Sequence, residues 1–332
     1  MNSERETTMT LQNIKAITVV GAGTMGPGIA LSFARHGYRV RMCDQKPEAL
    51  SAASSMVRTS VETLVRHGLE DSAKITEIEG RISFESSLEK ASEAADFVIE
   101  CVSENREVKR SLFHCLDNLC PPETIFASNT SYLNVFCLVP ENRLPHTIIT
   151  HWFAPPHILP LVEVVREAVT SEETAMVTLE LLKAIGKTPV LMNRFVPGFA
   201  INRIQRIIGR EVFFLLDNGY ISPEHLDLAV KASIAPRMML LGLVQRYDFT
   251  GLDLSANNLK NDEFIEPPLD NQPKALFDRV KQGHCGVKSG KGFYDYGDRN
   301  PASVYAELND ALVKILKDSS FCLEEVIGQT KK

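Results

Sequence analysis

A glycine-rich turn between two short apolar runs constrains this chain more than any other feature. Residues 17–44 read ITVVGAGTMGPGIALSFARHGYRVRMCD. An apolar run leads directly into Gly21-x-Gly23-x-x-Gly26, a helical apolar pattern follows, and a second apolar run ends at Asp44. The spacing GxGxxG is weak evidence alone. With a strand before it, a helix after it and an acid behind the second strand, it predicts a dinucleotide-binding βαβ unit.

Each glycine of this turn has a separate physical role. Gly21 permits a tight turn, Gly23 has no side chain to block a pyrophosphate, and Gly26 lets the helix lie close to the strand. The N–H groups at the start of the helix, around Thr24 and Met25, and the helix dipole favour negatively charged phosphates. We therefore expect these five residues to bind the cofactor.

The acid that closes the second strand indicates which dinucleotide binds. Asp44 lies eighteen residues after Gly26. A carboxylate at this point accepts hydrogen bonds from the ribose hydroxyls. It also repels a 2′-phosphate, so the sequence predicts NAD rather than NADP.

Composition and charge argue against several other classes of function. The chain has 332 residues, 44% of them hydrophobic and 23% charged, which is typical of a globular protein with about two domains. The net charge is −6 without a basic block, so nucleic acid is not an expected partner. The apolar runs are too short to span a bilayer, so no membrane association is expected.

Cysteine and histidine usage bears on compartment and metal binding. The seven cysteines form no C-x-x-C pair, which favours free thiols in a reducing compartment over disulfides or zinc. His146, His151 and His157 match no usual ligand spacing, so no metal is expected. Residues 1–13 resemble neither a secretory signal nor a mitochondrial presequence. We expect a cytoplasmic protein that acts on a small molecule.

Strand and helix patterns alternate along the first part of the chain. Strand-like runs fall at 17–20, 39–43, 97–101, 124–127, 147–150, 161–165 and 188–192, and helical patterns at 24–36, 47–67, 105–118 and 171–185. This alternation predicts βαβ units in a largely parallel sheet. After residue 197 the pattern is mainly helical, with a last helix over 302–317. The prediction is an α/β Rossmann-type doubly wound sheet over 14–197, followed by an all-α domain over 198–332.

A histidine and a glutamate stand out in the segment PHTIITHWFAPPHILPLVEVV (145–165). His151 follows a strand, where loops of α/β sheets carry ligand contacts. Glu163 lies inside an apolar strand, where a carboxylate is costly unless it is paired. A histidine oriented by a glutamate can act as a general base. The alternative is a surface histidine and an edge-strand glutamate, and the pattern alone leaves both open.

Several ordered motifs together resemble the 3-hydroxyacyl-CoA dehydrogenase family, and the resemblance runs nearly end to end. The segments that carry it are VVGAGTMGPGIA (19–30), VIECVSENREVK (98–109), SNTS (128–131), HWFAPPHILPLVEVV (151–165), PGFAINR (197–203) and GKGFYDY (290–296). The family includes a branch of λ-crystallin, gulonate and carnitine dehydrogenase-like proteins.

The resemblance implies a set of roles. His151 would remove the hydroxyl proton of the substrate and Glu163 would orient His151, while Ser131 and Asn202 match positions that hold the substrate's oxygens. Three further positions are matched to the cofactor site: Glu104, Lys109 and Asn129. The resemblance also implies that the second domain forms the substrate cleft and pairs with its copy in a homodimer, and that the protein serves fatty acid metabolism.

The chain departs from the family where the substrate would bind. Ala154 replaces the family's asparagine. The helix over 47–67, which meets the CoA phosphates in acyl-CoA enzymes, has Arg58 and Arg66 as its clearest cations. Arg237 and Arg246 stand in the second domain, where an arginine in the cleft would suit a free carboxylate.

Three interpretations of function follow. The first is NAD-dependent interconversion of a 3-hydroxyacyl-CoA, or a related β-hydroxyacyl thioester, and its 3-oxoacyl form. The second is the same chemistry on a free hydroxy acid or a specialised-metabolite intermediate. The third is a non-catalytic protein like λ-crystallin, against which the intact His151 and Glu163 argue.

Overall fold

The computed structural model describes residues 10–323, and the chain divides into two compact units, 1–203 and 204–332. The sequence places the boundary slightly earlier, at 197. The segment after 197 belongs with the sheet in the structure because the backbone N–H groups of Ala200 and Ile201 donate hydrogen bonds to Glu163.

The first unit is built on one eight-stranded sheet with the order β3-β2-β1-β4-β5-β6-β7-β8. The strands are β1 (Ala16–Val20), β2 (Arg39–Cys43), β3 (Ile82–Glu85), β4 (Phe97–Glu100), β5 (Ile125–Ser128), β6 (Thr147–Trp152), β7 (Leu161–Val165) and β8 (Thr188–Met192). Neighbouring strands are parallel from β3 to β6. β7 then pairs antiparallel with β6, and β8 is parallel to β7.

Helices connect these strands. They are α1 (Gly26–Arg35), α2 (Pro47–Arg66), α3 (Ile75–Gly80), α4 (Leu88–Ser92), α5 (Arg106–Leu119) and α6 (Glu172–Ala184). The prediction of a Rossmann-type sheet followed by a helical domain is confirmed. The sequence analysis missed β3, a strand of four residues, and did not anticipate the reversal of direction at β7.

The core surrounds α1, whose residues from Gly26 to Ala34 are all buried. Leu31 and Phe33 are completely enclosed, and burying side chains of this size stabilises a fold by roughly 1.5–3 kcal/mol each. A helix buried on every side must approach its neighbours closely, which explains its glycines. A Cβ on Gly28 would lie 2.6 Å from the Pro156 ring.

The second unit is helical. Its helices are α7 (Ile201–Asp217), which starts in the first unit, α8 (Pro223–Ala229), α9 (Ala235–Leu241), α10 (Gln245–Thr250), α11 (Leu252–Asn258), α12 (Lys274–Lys281) and α13 (Pro301–Asp318), with a π-helical turn (Val230–Ile234) joining α8 to α9. α13 matches the helix predicted over 302–317. None of the helices within residues 10–323 combines the length and apolarity needed to cross a membrane.

Little of the apolar surface of the second unit is buried. Within residues 204–323, and leaving prolines aside, Val313 is the only buried apolar residue. Large side chains that lie more than half exposed include Ile207, Phe249, Leu254, Phe264 and Ile265. A unit of this size normally encloses a core, so much of this surface is available to another molecule.

Candidate cofactor-binding and catalytic site

The glycine turn has the geometry that its sequence predicts. Gly21 has φ +111°, which a residue with a side chain rarely adopts, and a Cβ there would lie 2.5 Å from the carbonyl oxygen of Cys101. A Cβ on Gly26 would lie 2.0 Å from the carbonyl oxygen of Gly21. Around Gly23 there is open space where its Cβ would be. Gly21 and Gly26 therefore allow close backbone packing, and Gly23 leaves room for a phosphate.

Asp44 lies beside this turn, directly after β2. Its Oδ2 accepts a hydrogen bond from the N–H of Ala22 at 2.9 Å, and its Oδ1 accepts one from the N–H of Lys46 at 3.0 Å. Each carboxylate oxygen keeps a lone pair for a ribose hydroxyl. Thr24 and Met25 precede the first turn of α1, whose first N–H groups have no acceptor within the helix. These residues fit the adenosine and pyrophosphate of a dinucleotide.

His151 and Glu163 face each other across the β6–β7 ladder. They are register partners, and His151 Nδ1 lies 2.9 Å from Glu163 Oε2. Both are buried, with exposed fractions of 4% and 1%. The alternative of a surface histidine and an edge-strand glutamate therefore does not hold. Nδ1–H donating to the carboxylate leaves Nε2 as the nitrogen that can accept a substrate proton.

The other oxygen of Glu163 and the ring of His151 are held as well. Glu163 Oε1 accepts hydrogen bonds from the N–H groups of Ala200 and Ile201, at 2.9 and 3.0 Å, where α7 begins. The His151 ring packs against Phe153 and Phe199, with ring centroids 4.5 and 5.3 Å away. The pair is therefore fixed in position before any substrate binds.

The loop after β5 lies beside this pair. Asn202 Nδ2 donates to the carbonyl oxygen of Ser131 at 3.4 Å. Asn129 Oδ1 accepts from the N–H of Trp152, the residue after His151, at 2.8 Å. The structure thus brings Ser131, Asn202 and Asn129 to the same end of the sheet as His151. Their roles toward substrate and cofactor stay predictions.

A buried ion-pair network underlies the same loop. Lys109 Nζ donates to Glu100 Oε1 at 2.6 Å and lies 3.1 Å from Glu104 Oε2. The other oxygen of Glu104, Oε1, accepts from the Thr130 hydroxyl at 2.6 Å and from the N–H of Ser131 at 2.8 Å. Lys109 is only 1% exposed. Its ammonium is therefore engaged by protein carboxylates, and a contact with the cofactor stays a prediction.

The two glutamates of the network respond differently to their surroundings. Burial raises the pKa of Glu100, and the charge of Lys109 opposes that rise. Burial also acts on Glu104, but hydrogen bonds from Thr130 and the N–H of Ser131, together with the charge of Lys109, outweigh it and lower its pKa. Glu104 is thus held as a carboxylate at neutral pH.

Sequence reasoning missed Glu100, Ser128 and Thr130. A signal for Glu100 was present, because it is an acid at the end of the apolar run FVIE with a lysine nine residues later. The same cost of an isolated buried carboxylate that singled out Glu163 applies to it. For the two hydroxyl residues we find no such signal.

Two of the arginines predicted for the substrate, Arg58 and Arg66, lie on α2. In the first unit, Arg58 on α2 pairs with Glu62 at 3.1 Å and with Glu79 at 2.9 Å, and Arg66 donates to the Thr63 hydroxyl at 2.9 Å. A groove with a volume of about 490 Å³ runs beside Arg58, between α2 and β3. The cation of Arg58 is therefore shared between two acids.

In the second unit, Arg237 on α9 donates to the carbonyl oxygen of Ser233 at 3.1 Å and to its hydroxyl at 2.9 Å. The Arg246 guanidinium lies 4.7 Å from the centre of the Tyr247 ring. Both hold local contacts within the unit, and their roles in substrate binding stay predictions.

Comparison with known proteins agrees with this geometry. Two family models match, one described as 3-hydroxyacyl-CoA dehydrogenase, NAD binding domain, over residues 16–195, and one as its C-terminal domain, over residues 198–296. A protein named probable 3-hydroxybutyryl-CoA dehydrogenase from Bacillus subtilis is 38% identical over 291 residues, covering 86% of this chain and 99% of that protein.

A second group of similar proteins has a different stated substrate. The protein named 5-formyl-3-hydroxy-2-methylpyridine 4-carboxylate 5-dehydrogenase from Mesorhizobium japonicum is 32% identical over 307 residues, covering 91% of this chain and 97% of that protein. A crystal structure of an enzyme of that activity, described as NAD+-dependent, is 30% identical. It superposes with a TM-score of 0.83, covering 92% of this chain and 99% of that one.

Proposed function

Because the chain belongs to the 3-hydroxyacyl-CoA dehydrogenase family, we propose that it interconverts a 3-hydroxyacyl-CoA, or a related β-hydroxyacyl thioester, and its 3-oxoacyl form. It is an NAD-dependent oxidoreductase. The single observation that carries the proposal is the buried hydrogen bond between His151 and Glu163 at the end of the sheet where the cofactor turn lies.

In the proposed reaction His151 acts as the general base. Its Nε2 accepts the proton of the substrate hydroxyl, and Glu163 stabilises the imidazolium that forms. NAD, when bound, accepts the hydride from the carbon that carried the hydroxyl. In the reverse direction the imidazolium returns its proton to the oxygen. Glu163 is held by two backbone N–H groups, so it keeps its place as the charge moves.

Ser131 and Asn202 are proposed to hold the substrate's reacting oxygen. Asn202 Nδ2 already contacts the Ser131 backbone, which leaves the Ser131 hydroxyl to donate to a substrate. Hydrogen-bond donors placed around a developing alkoxide are a common source of rate acceleration.

The test is a turnover assay with the purified protein. Reduction of acetoacetyl-CoA with NADH, and oxidation of 3-hydroxybutyryl-CoA with NAD+, should both be detected by the absorbance of NADH. Activity on free 3-hydroxy acids with none on the CoA thioesters would overturn the thioester assignment. Absence of turnover on both classes would overturn both proposed substrate classes.

A specific observation favours a second candidate, a free hydroxy acid. Arg58, a cation predicted to bind the CoA phosphates, pairs with both Glu62 and Glu79. These two carboxylates neutralise the positive charge that a phosphate would need. The similarity to a pyridine-carboxylate dehydrogenase also supports a free-acid substrate. A carboxylate substrate would bind instead to Arg237 or Arg246.

Two variants separate the candidates by charge. A CoA substrate predicts that Arg58→Ala raises KM and that binding weakens with salt, since several phosphates lie at the surface. A free acid predicts that Arg237→Ala raises KM by about one to two decades, the effect of one charge-assisted hydrogen bond, while Arg58→Ala has little effect.

We also propose that the protein is a homodimer held by its second unit. The apolar side chains exposed there, such as Phe249, Leu254 and Phe264, supply the kind of surface that obligate dimers bury. Light scattering after gel filtration should give the mass of two chains, and the mass of one chain would contradict the proposal. Its cytoplasmic location and its place in fatty acid metabolism stay predictions.

A further inference from the structure

Glu100 is a buried carboxylate that the proposed reaction does not use. It is the last residue of β4 and is fully buried (0% exposed). Together with Lys109 and Glu104 it forms a network of two carboxylates and one ammonium. When all three groups are ionised, this Glu100–Lys109–Glu104 network carries a net charge of −1.

The contacts around Glu100 suit the ionised form. Its Oε1 accepts from Lys109 Nζ at 2.6 Å and from the N–H of Val102 at 2.8 Å, and its Oε2 accepts from the Ser128 hydroxyl at 2.5 Å. Burial raises the pKa of Glu100, but three donors, one of them charged, stabilise the carboxylate against that effect. The ionised Glu100 places a negative charge inside the sheet.

The position of the network relates it to one half of the cofactor. A dinucleotide lies across the carboxyl ends of the strands at the point where the strand order reverses, here between β1 and β4. The glycine turn and Asp44 would hold the adenosine half at β1 and β2. The nicotinamide half would then lie toward β4 and β5, whose last residues are Glu100 and Ser128, and toward His151 on β6.

We propose that the net negative charge of this network favours the oxidised over the reduced cofactor. The nicotinamide ring of NAD+ is cationic and that of NADH is neutral, so a nearby fixed charge acts on one form only. Few mobile charges screen it, because Glu100 and Lys109 are buried. The inference rests on the NAD chemistry of the proposed function and is independent of its substrate.

The test measures cofactor binding without substrate. Calorimetric titration gives dissociation constants for NAD+ and NADH, and their ratio is the readout. Glu100→Gln keeps the shape and removes the charge, so NAD+ binding should weaken relative to NADH by roughly tenfold, as expected for one charge acting through a partly buried path. Glu100→Asp keeps the charge and should keep the wild-type ratio.

A matched control removes a charge elsewhere. Asp117 on α5 pairs with Arg143 at 2.7 Å, at the amino ends of the strands, so Asp117→Asn should leave the ratio unchanged. If Glu100→Gln does not fold, Glu104→Gln neutralises the same network at a more exposed position and decides the question. An unchanged ratio in the folded variant overturns the inference. A failed substrate assay leaves it untouched, because no substrate is present.

Discussion

At the scale of single residues, the proposed chemistry depends on one nitrogen of His151. Its other nitrogen is bound to Glu163, so replacing the ring removes the only group proposed to accept the proton. His151→Ala should lower kcat by about 10²- to 10⁴-fold, as removal of a general base typically does, while NADH binding stays near wild type. His114→Ala, at an exposed histidine on α5, is the control. Near-normal turnover by His151→Ala would remove this residue from the mechanism.

A second residue, Asp44, should set the choice of cofactor. Its carboxylate is fixed by the N–H groups of Ala22 and Lys46, so it cannot easily turn away from a 2′-phosphate. Asp44→Ala should narrow the preference for NAD over NADP by at least about tenfold, since two like charges no longer meet. Glu48→Ala, at an exposed acid of α2, should leave the preference intact. Tighter binding of NADPH than NADH by the unmodified protein would refute the role.

The sequence could indicate His151 and Glu163 because an acid inside an apolar strand demands a partner. It could not indicate how Lys109 is used. A lysine near the start of a helix looks like an exposed ion pair or a cofactor contact, and only the packing of α5 against β4 buries its ammonium against Glu100. Which of several acids a lysine meets depends on tertiary contacts, which spacing along the chain does not encode.

At the scale of elements, the segment between β6 and β7 packs on a buried lysine. Lys187 Nζ donates to the carbonyl oxygens of Pro156 and Leu159, at 2.6 and 3.0 Å. Burial, with a smaller effect of Arg35, lowers the pKa of Lys187 to about 7. Between that pH and the ordinary lysine pKa, the unfolded chain holds a proton that the folded chain does not. Stability should therefore rise with pH across this interval.

Denaturant unfolding of the unmodified protein at pH 7 to 10 checks this. The free energy of unfolding should gain on the order of 1 kcal/mol per pH unit from this group. Lys187→Met should flatten the profile, whereas Lys183→Met, at an exposed position on α6, should not. A profile of the same slope in wild type and Lys187→Met would disprove the assignment to this lysine.

The element that sequence reasoning missed, β3, shows where the pattern is weakest. Residues 82–85 read ISFE and form an edge strand of four residues directly after a short helix. So short an alternation of apolar and polar residues fits a loop equally well, and only pairing with β2 distinguishes them. The longer strands and helices were predictable because their apolar periodicity extends over more residues.

At the scale of the whole molecule, the second unit should depend on association for its stability. Among its described residues, Val313 is the only buried apolar residue apart from prolines. In the proposed homodimer the unit would gain stability by burying this surface against the second copy. The thermal unfolding midpoint should therefore rise with protein concentration, since association stabilises by mass action. Calorimetry across a hundredfold range of protein concentration checks this. A thermal midpoint that does not change with concentration would indicate a monomer.

The antiparallel pairing of β6 with β7 also determines where the protein can tolerate inserted residues. His151 and Glu163 meet because they are opposite each other in one ladder, and successive side chains of a strand point to opposite faces. Insertions in the turn between the strands leave that opposition unchanged. A single residue inserted within β7 before Glu163 would turn its carboxylate to the far face. His151 would then lose the carboxylate that orients it, although every residue of the site was still present in the sequence.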